Sequence, residues 1–228
     1  MPDERPTFKE CFGFPVGSPE ARRDVLVGGA LLLLGPVGWV LNLGQRLDVV
    51  QRLYRADPPY FRGFAPWTRT FARGLKAVCA IAVYLAPAAL LGGAGAWLWW
   101  RAAAPRTAAA LWSTAAAAFA WAVFSLPGGM TYNAAFGDVS YLYRPDKAFR
   151  RALAGGRAYL WAWLIGGGAV ALSLAGLLAG GVGFLWTSVW AWTVVGYAFS
   201  RALVLPRRPR PPAAGGPASG AGAARTGA

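Results

Sequence analysis

The side chains able to do chemistry in this sequence are few and unevenly placed. There is no histidine, and the two cysteines, Cys11 and Cys79, lie one in the N-terminal segment and one inside an apolar run. That spacing suits neither a zinc site nor a disulfide. No carboxylate falls within a span, and no serine or cysteine stands beside a base. Nothing there supplies a general acid, a general base or an activated nucleophile. The chain is therefore expected to be no enzyme and to carry no cofactor or metal. Ion and proton pathways usually show ionisable groups at depth, and these are missing too.

Two kinds of polar chemistry remain. Asn42 and Gln45 follow the break Gly35-Pro36-Val37-Gly38 and are the one polar pair at plausible depth. They can line a small polar site at an unwound helix or, more simply, hydrogen-bond a neighbouring helix. The second kind is basic. Arg69, Arg73 and Lys76 alternate with Trp67, Phe71 and Leu75, and Lys147, Arg150, Arg151 and Arg157 with Phe149 and Leu153. Both stretches read as amphipathic helices lying in the membrane interface, with Arg69, Arg73, Lys76, Lys147, Arg150 and Arg151 as contacts for anionic lipid headgroups. Asp48 and Arg52, four apart, suit a surface ion pair. The net charge of +14 sits in segments flanking apolar runs. With no recognition motif, the expected partner is anionic lipid and not nucleic acid.

The elements that position these residues follow from hydrophobicity. Apolar residues make up 56% of the 228-residue chain and charged residues 14%, too few charges to solvate ordinary amphipathic helices. A spanning helix needs about 20 apolar residues, since ~30 Å of hydrocarbon is crossed at ~1.5 Å per residue. Segments 77–100, 107–126, 158–179 and 182–205 qualify, and Arg201, near an end, is their one charge. A fifth apolar segment, 24–44, contains the Gly-Pro break, where proline removes a helical hydrogen bond. The fold class is thus all-α: a polytopic transmembrane helical bundle of four full spans plus a Gly-Pro-broken N-terminal membrane segment, re-entrant or a fifth span, with interfacial amphipathic helices. The domain reading is a polar N-terminal segment at 1–23, a helical membrane domain at 24–205 and a disordered basic Pro/Ala/Gly tail at 206–228. The first 23 residues mix acids and bases and do not resemble a cleavable signal.

Lys and Arg number four before the first apolar segment, seven from Arg46 to Lys76, two in 101–106, five from Arg144 to Arg157, none near Gly181 and five from Arg201 onward. A re-entrant first segment puts 21 basic residues on one side and 2 on the other, while a crossing one gives 17 and 6. Both satisfy the positive-inside rule, the first more fully, and both place the C-terminus on the cytoplasmic side. Five acids in the N-terminal stretch keep the crossing form open. Trp97, Trp99, Trp100 and Trp112 around the 101–106 loop, and Trp161 and Trp163 opposite, read as interfacial belts.

The best-defined pattern is structural. Ala162, Gly166, Ala169, Ser173, Gly176 and Gly180 recur at spacings of 4, 3, 4, 3 and 4. This places a small residue at each turn of one helix face, where lipid-embedded helices need close backbone approach to pack. A weak internal repeat relates Gly35-Pro36-Val37-Gly38-Trp39 to Gly180-Gly181-Val182-Gly183-Phe184, a kind of duplication common in transporters. The expected function is therefore that of an integral membrane protein acting through lipid and protein contacts. The alternative is a small transporter or channel-like subunit using the broken helix near Asn42.

The order of motifs over residues 8–204 resembles the prokaryotic integral-membrane family known as domain of unknown function 4013. The features that carry the resemblance begin with Phe8, Phe12, Phe14-Pro15, Gly28-Gly29, the Pro36 break and Gly44 before a basic helix. They continue with Gly74-Leu75-Lys76 leading into Tyr84-Leu85 and Pro87, then Phe124, Pro127, Tyr159, Gly183 and Tyr197. Gly181 departs from a proline the family tends to have in the last turn. The chain is also distantly similar to the membrane domain attached to some glycerophosphodiester phosphodiesterases, without their catalytic domain. The resemblance implies a helical bundle in the cell membrane and no particular chemistry.

Overall fold

The computed structural model describes residues 5–59, 67–101, 104–178 and 180–207, and among them every regular element is helical. The chain opens with α1 (Phe8–Gly13), capped by Thr7, whose hydroxyl accepts from the Glu10 N–H at 3.3 Å. Helix α2 (Pro19–Leu32) starts at Ser18, which caps Ala21 at 3.1 Å, with Pro19 at the first helical position, where its missing N–H costs nothing. Proline opens α3 (Pro36–Arg55) in the same way.

Four helices are long and apolar enough to cross a membrane. They are α4 (Trp67–Arg101), α5 (Pro105–Phe136), a helix running Gly156–Leu178 and one running Gly183–Arg207. Between the second and third lie the four-residue α6 (Ser140–Tyr143) and α7 (Pro145–Ala154). The third consists of α8 (Gly156–Ser173) and a tighter turn over Leu174–Leu178; the fourth of α9 (Gly183–Leu203) and a short turn over Leu205–Arg207. The segment 206–228 read as a disordered tail lies outside the described residues beyond Arg207.

One feature differs from the sequence reading. The 67–76 stretch is no separate interfacial helix: it runs without interruption into the span as the first turns of the 35-residue α4. At ~1.5 Å per residue, α4 and the 32-residue α5 are about 52 and 48 Å long. Each overruns ~30 Å of hydrocarbon. Of the two forms open to the Gly-Pro-broken segment, the chain takes the hairpin of two helices and not one kinked helix. Residues 33–35 form a tight turn closed by successive hydrogen bonds from Leu33, Leu34 and Gly35 to Ala30, Leu31 and Leu32. Gly35 takes φ +60° and ψ −133°, backbone that a residue with a Cβ avoids. Helix α3 then returns along α2, and the Leu33–Leu34 tip is exposed.

The polar N-terminal segment is docked on the bundle. Cys11 is fully buried, Phe12 meets Trp190 edge-on at 5.2 Å, and Phe14 stacks on Tyr197 at 4.2 Å. Glu10 accepts from the Tyr197 hydroxyl at 2.7 Å and pairs with Arg201 at 3.2 Å.

Helices α4 and α5 form one antiparallel pair and α8 and α9 another, with α3 against α4 and α2 against α9. At the crossing of α3 and α4 a methyl group on Gly44 would land on the Thr70 carbonyl, and one on Gly74 on the Val40 carbonyl. Backbone touches backbone there, so neither neighbour can yield. Gly44→Ala is expected to lower stability by about 3 kcal/mol, the upper end for overpacking. Gly167→Ala, whose added methyl meets nothing, should be neutral or slightly stabilising through helix propensity. Thermal unfolding of the two detergent-solubilised variants measures the difference, and equal melting temperatures would overturn the crossing.

Candidate functional site

Two polar regions emerge, one at the hairpin and one where α5, α6, α7 and α9 meet. At the hairpin, Asn42 is buried and its amide donates to the Gly28 carbonyl on α2 at 2.9 Å and to the Gly38 carbonyl in its own helix at 3.2 Å. It thereby ties α3 to α2. Gly28 leaves the room for this, because a Cβ there would lie 2.8 Å from Asn42 Oδ1 and 2.7 Å from Val189. One turn along, Gln45 and Arg46 face a cavity of about 30 Å³ lined also by Asp24, Asn42 and Thr193. Gln45 Oε1 and Arg46 Nε have no hydrogen-bond partner among the described residues, while the Arg46 guanidinium lies 5.3 Å from the centre of the Trp192 ring. A water placed between them would donate to the amide oxygen and accept from the guanidinium, and the volume suffices for one or two waters.

The second region is built on α7. Pro145 starts this helix, and Ala148 and Ala152 bury its inner face against Gly128 and Gly129 of α5. Arg150 points outward, exposed, and reaches Asp146 at 3.6 Å. Lys147 and Arg151 are half-buried. The Lys147 ammonium donates to Ser140 Oγ at 2.9 Å and lies 5.8 Å from the Tyr141 ring centre. Arg151 donates to the Tyr141 hydroxyl at 3.3 Å and lies 5.1 Å from the centre of Tyr132. Arg207, just past α9, donates to the Tyr132 hydroxyl and lies 5.5 Å from the same ring. The nearby Asp138 carboxylate accepts from the Ser140 N–H and hydroxyl, each at 2.8 Å. Those bonds, led by the backbone one, hold it below the usual carboxylate range.

Arg69 and Lys76 are exposed on α4, but Arg73 is half-buried and forms an ion pair with Asp48 of α3, which also accepts from Thr70 at 3.2 Å. Asp48 therefore bridges helices. Ala162, Gly166, Ala169 and Ser173 are buried along α8, and Gly176 is buried in the turn that follows. A Cβ on Gly166 would meet Val195 at 3.3 Å. Gly180 is exposed, in a turn with φ +64° and nothing near it, so it makes no packing contact and the 176–180 pair does not lie on one continuous helix. Both motifs of the suspected repeat form tight turns with positive-φ glycines, Gly35 in one and Gly180 and Gly181 in the other.

Tyr132, Tyr141 and the Glu10–Arg201 pair carried no sequence signal, because their partners lie 10 to 191 positions away. No family model, curated protein or solved structure matches the chain.

Two outcomes test this geometry. Asn42→Leu removes both amide hydrogen bonds and should cost about 0.5–2 kcal/mol, the span of interhelical polar contacts in membranes; an unchanged melting temperature would contradict the tie. Burial, with Glu10 nearby, pushes the Cys11 thiol up to about 12. Roughly one molecule in ten thousand is then thiolate at about pH 8. Cys11 should resist maleimide in the folded protein and react once denatured, whereas Lys9→Cys, at an exposed position, should react at once.

Proposed function

We propose that this is a multi-pass protein of a bacterial-type cell membrane that acts through contacts with anionic lipid and with other proteins, not through catalysis. Its C-terminus and α7 face the cytoplasm, in line with the positive-inside rule. The hairpin of α2 and α3 re-enters the membrane, its apolar Leu33–Leu34 tip in the lipid. Membership of the family known as domain of unknown function 4013 is part of the same proposal. The observation that carries the reading is α7: a ten-residue helix seated by Ala148 and Ala152 on α5, with Arg150 exposed to the outside. A helix fixed at that place presents its cations at headgroup level.

A second reading is a small transporter or channel-like subunit, favoured by the polar cavity of Asn42, Gln45 and Arg46. Its volume of about 30 Å³ limits cargo to water or a monatomic ion.

The lipid reading is tested on the full chain in neutral detergent, by native mass spectrometry with phosphatidylglycerol and phosphatidylcholine. Phosphatidylglycerol should be retained preferentially, and added salt should reduce the preference. Replacing Arg69, Lys76 or Arg150 with Gln should weaken the preference by about 1 kcal/mol each, roughly fivefold. Equal retention of the two lipids would refute the reading.

A further inference from the structure

The cations of α7 are not equivalent. Lys147, Arg151 and Arg207 gather around the adjoining rings of Tyr141 and Tyr132. Lys147 and Arg151 each lie 5.8 Å from the Tyr141 ring centre, and Arg151 and Arg207 lie 5.1 and 5.5 Å from that of Tyr132. The tyrosine rings are 5.3 Å apart. Each hydroxyl accepts from one arginine, and the Tyr132 hydroxyl donates onward to the Leu203 carbonyl at 3.4 Å. These contacts hold both guanidiniums in place while using few of the five N–H groups that each carries.

The charge of this arrangement is not balanced by neighbouring acids: among the described residues, no carboxylate lies within ion-pair distance of Arg151 or Arg207. Asp138, the acid beside Lys147, is held by Ser140. Two guanidiniums on one ring repel each other, and a shared anion would reverse the sign of that interaction. Planar guanidiniums with free parallel N–H groups match phosphate oxygens two at a time. Exposed apolar side chains stand in the same stretch of chain: Phe136 and Val139 between the two tyrosines, and Leu153 on α7. Such a rim suits acyl chains, which a dissolved phosphate ion lacks.

We infer that Lys147, Arg151 and Arg207, braced by Tyr132 and Tyr141, form a discrete binding site for the phosphate of one anionic glycerophospholipid. The inference rests on the lipid-contact reading above and adds stoichiometry and geometry to it. A diffuse basic surface depends on charge alone, so an Arg-to-Lys change leaves it intact. A two-pronged site depends on the guanidinium fork and does not tolerate that change.

The test uses the full chain in neutral detergent, titrated with phosphatidic acid and followed by thermal shift and native mass spectrometry. Phosphatidylcholine and inorganic phosphate serve as separate arms. One phosphatidic acid should bind saturably per chain. Arg151→Lys and Arg207→Lys should each weaken it by about tenfold or more, the equivalent of one lost charged hydrogen bond. Arg101→Lys and Arg106→Lys, exposed where α4 ends and α5 begins, should leave it within about twofold. Arg207 is exposed at a helix end, so its variant remains informative if Arg151→Lys fails to fold. Unchanged binding in Arg207→Lys would overturn the site while leaving the diffuse lipid reading standing. Absence of any preference for phosphatidic acid over phosphatidylcholine would remove both. Displacement by inorganic phosphate at comparable concentration would show a phosphate-ion site and overturn the lipid assignment.

Discussion

Close approach of backbone to backbone is the constraint on which this bundle depends. Lipid is as apolar as leucine, so helices inside it gain nothing from burying leucine, and association must come from contact area and polar bonds. The chain meets this with small residues wherever two helices touch most closely. Gly44 and Gly74 let α3 cross α4 at the level of the carbonyls, Gly128 and Gly129 seat α7 on α5, and Gly28 and Gly29 receive Val189 and Trp186. The stripe from Ala162 to Gly176 does the same between α8 and α9. Large apolar side chains point the other way: Leu90, Trp100, Leu164 and Leu178 are exposed on the outside of the bundle. That is an inversion of a water-soluble core, and it is the arrangement a bilayer favours.

Polar groups follow the same logic. Hydroxyls of Ser113, Thr114, Ser125, Thr193 and Ser200 return to carbonyls one turn earlier in their own helices, which removes them from competition with lipid. The bonds between helices sit at junctions. Asn42 joins α3 to α2, Thr187 reaches Ser173 across the α8–α9 turn at 2.8 Å, and Trp186 reaches Leu26 at 3.2 Å. Tyr159 bonds the Phe124 carbonyl of α5. Each fixes a helix pair that small residues have already brought together. The polar cavity beside Asn42 arises from the same hairpin, because a chain that turns back within 35 residues leaves Gln45 and Arg46 facing α9 rather than water.

The charged groups divide into those that hold the fold and those that remain available. Asp48 with Arg73, and Glu10 with Arg201, join segments far apart in sequence. Arg69, Lys76 and Arg150 stay exposed. The half-buried Arg151 is neither, since rings and hydroxyls position it without neutralising it. This division separates a basic composition from a basic site.

Hydrophobic run length alone determined the class of this protein. Four long apolar helices follow from some twenty uncharged residues each, because an unpaired peptide group in hydrocarbon is too costly for any other backbone. The small-residue spacing on α8 was equally legible, since helical period is a local property. Helix ends were less so. The first turns of α4 look interfacial by composition, yet nothing in them breaks a helix, and they continue into the span. Gly180 fits the stripe by spacing, but with Gly181 beside it the chain turns there instead. Only the tertiary structure decided that the Gly-Pro segment folds back as a hairpin, because that outcome rests on Gly28 lying opposite Asn42. It alone brought Tyr132 and Tyr141 against the cations of α7 and against Arg207. Residues 75 positions apart meet through the packing of α5, α7 and α9, and no periodicity in one strand of sequence encodes a contact made by three helices.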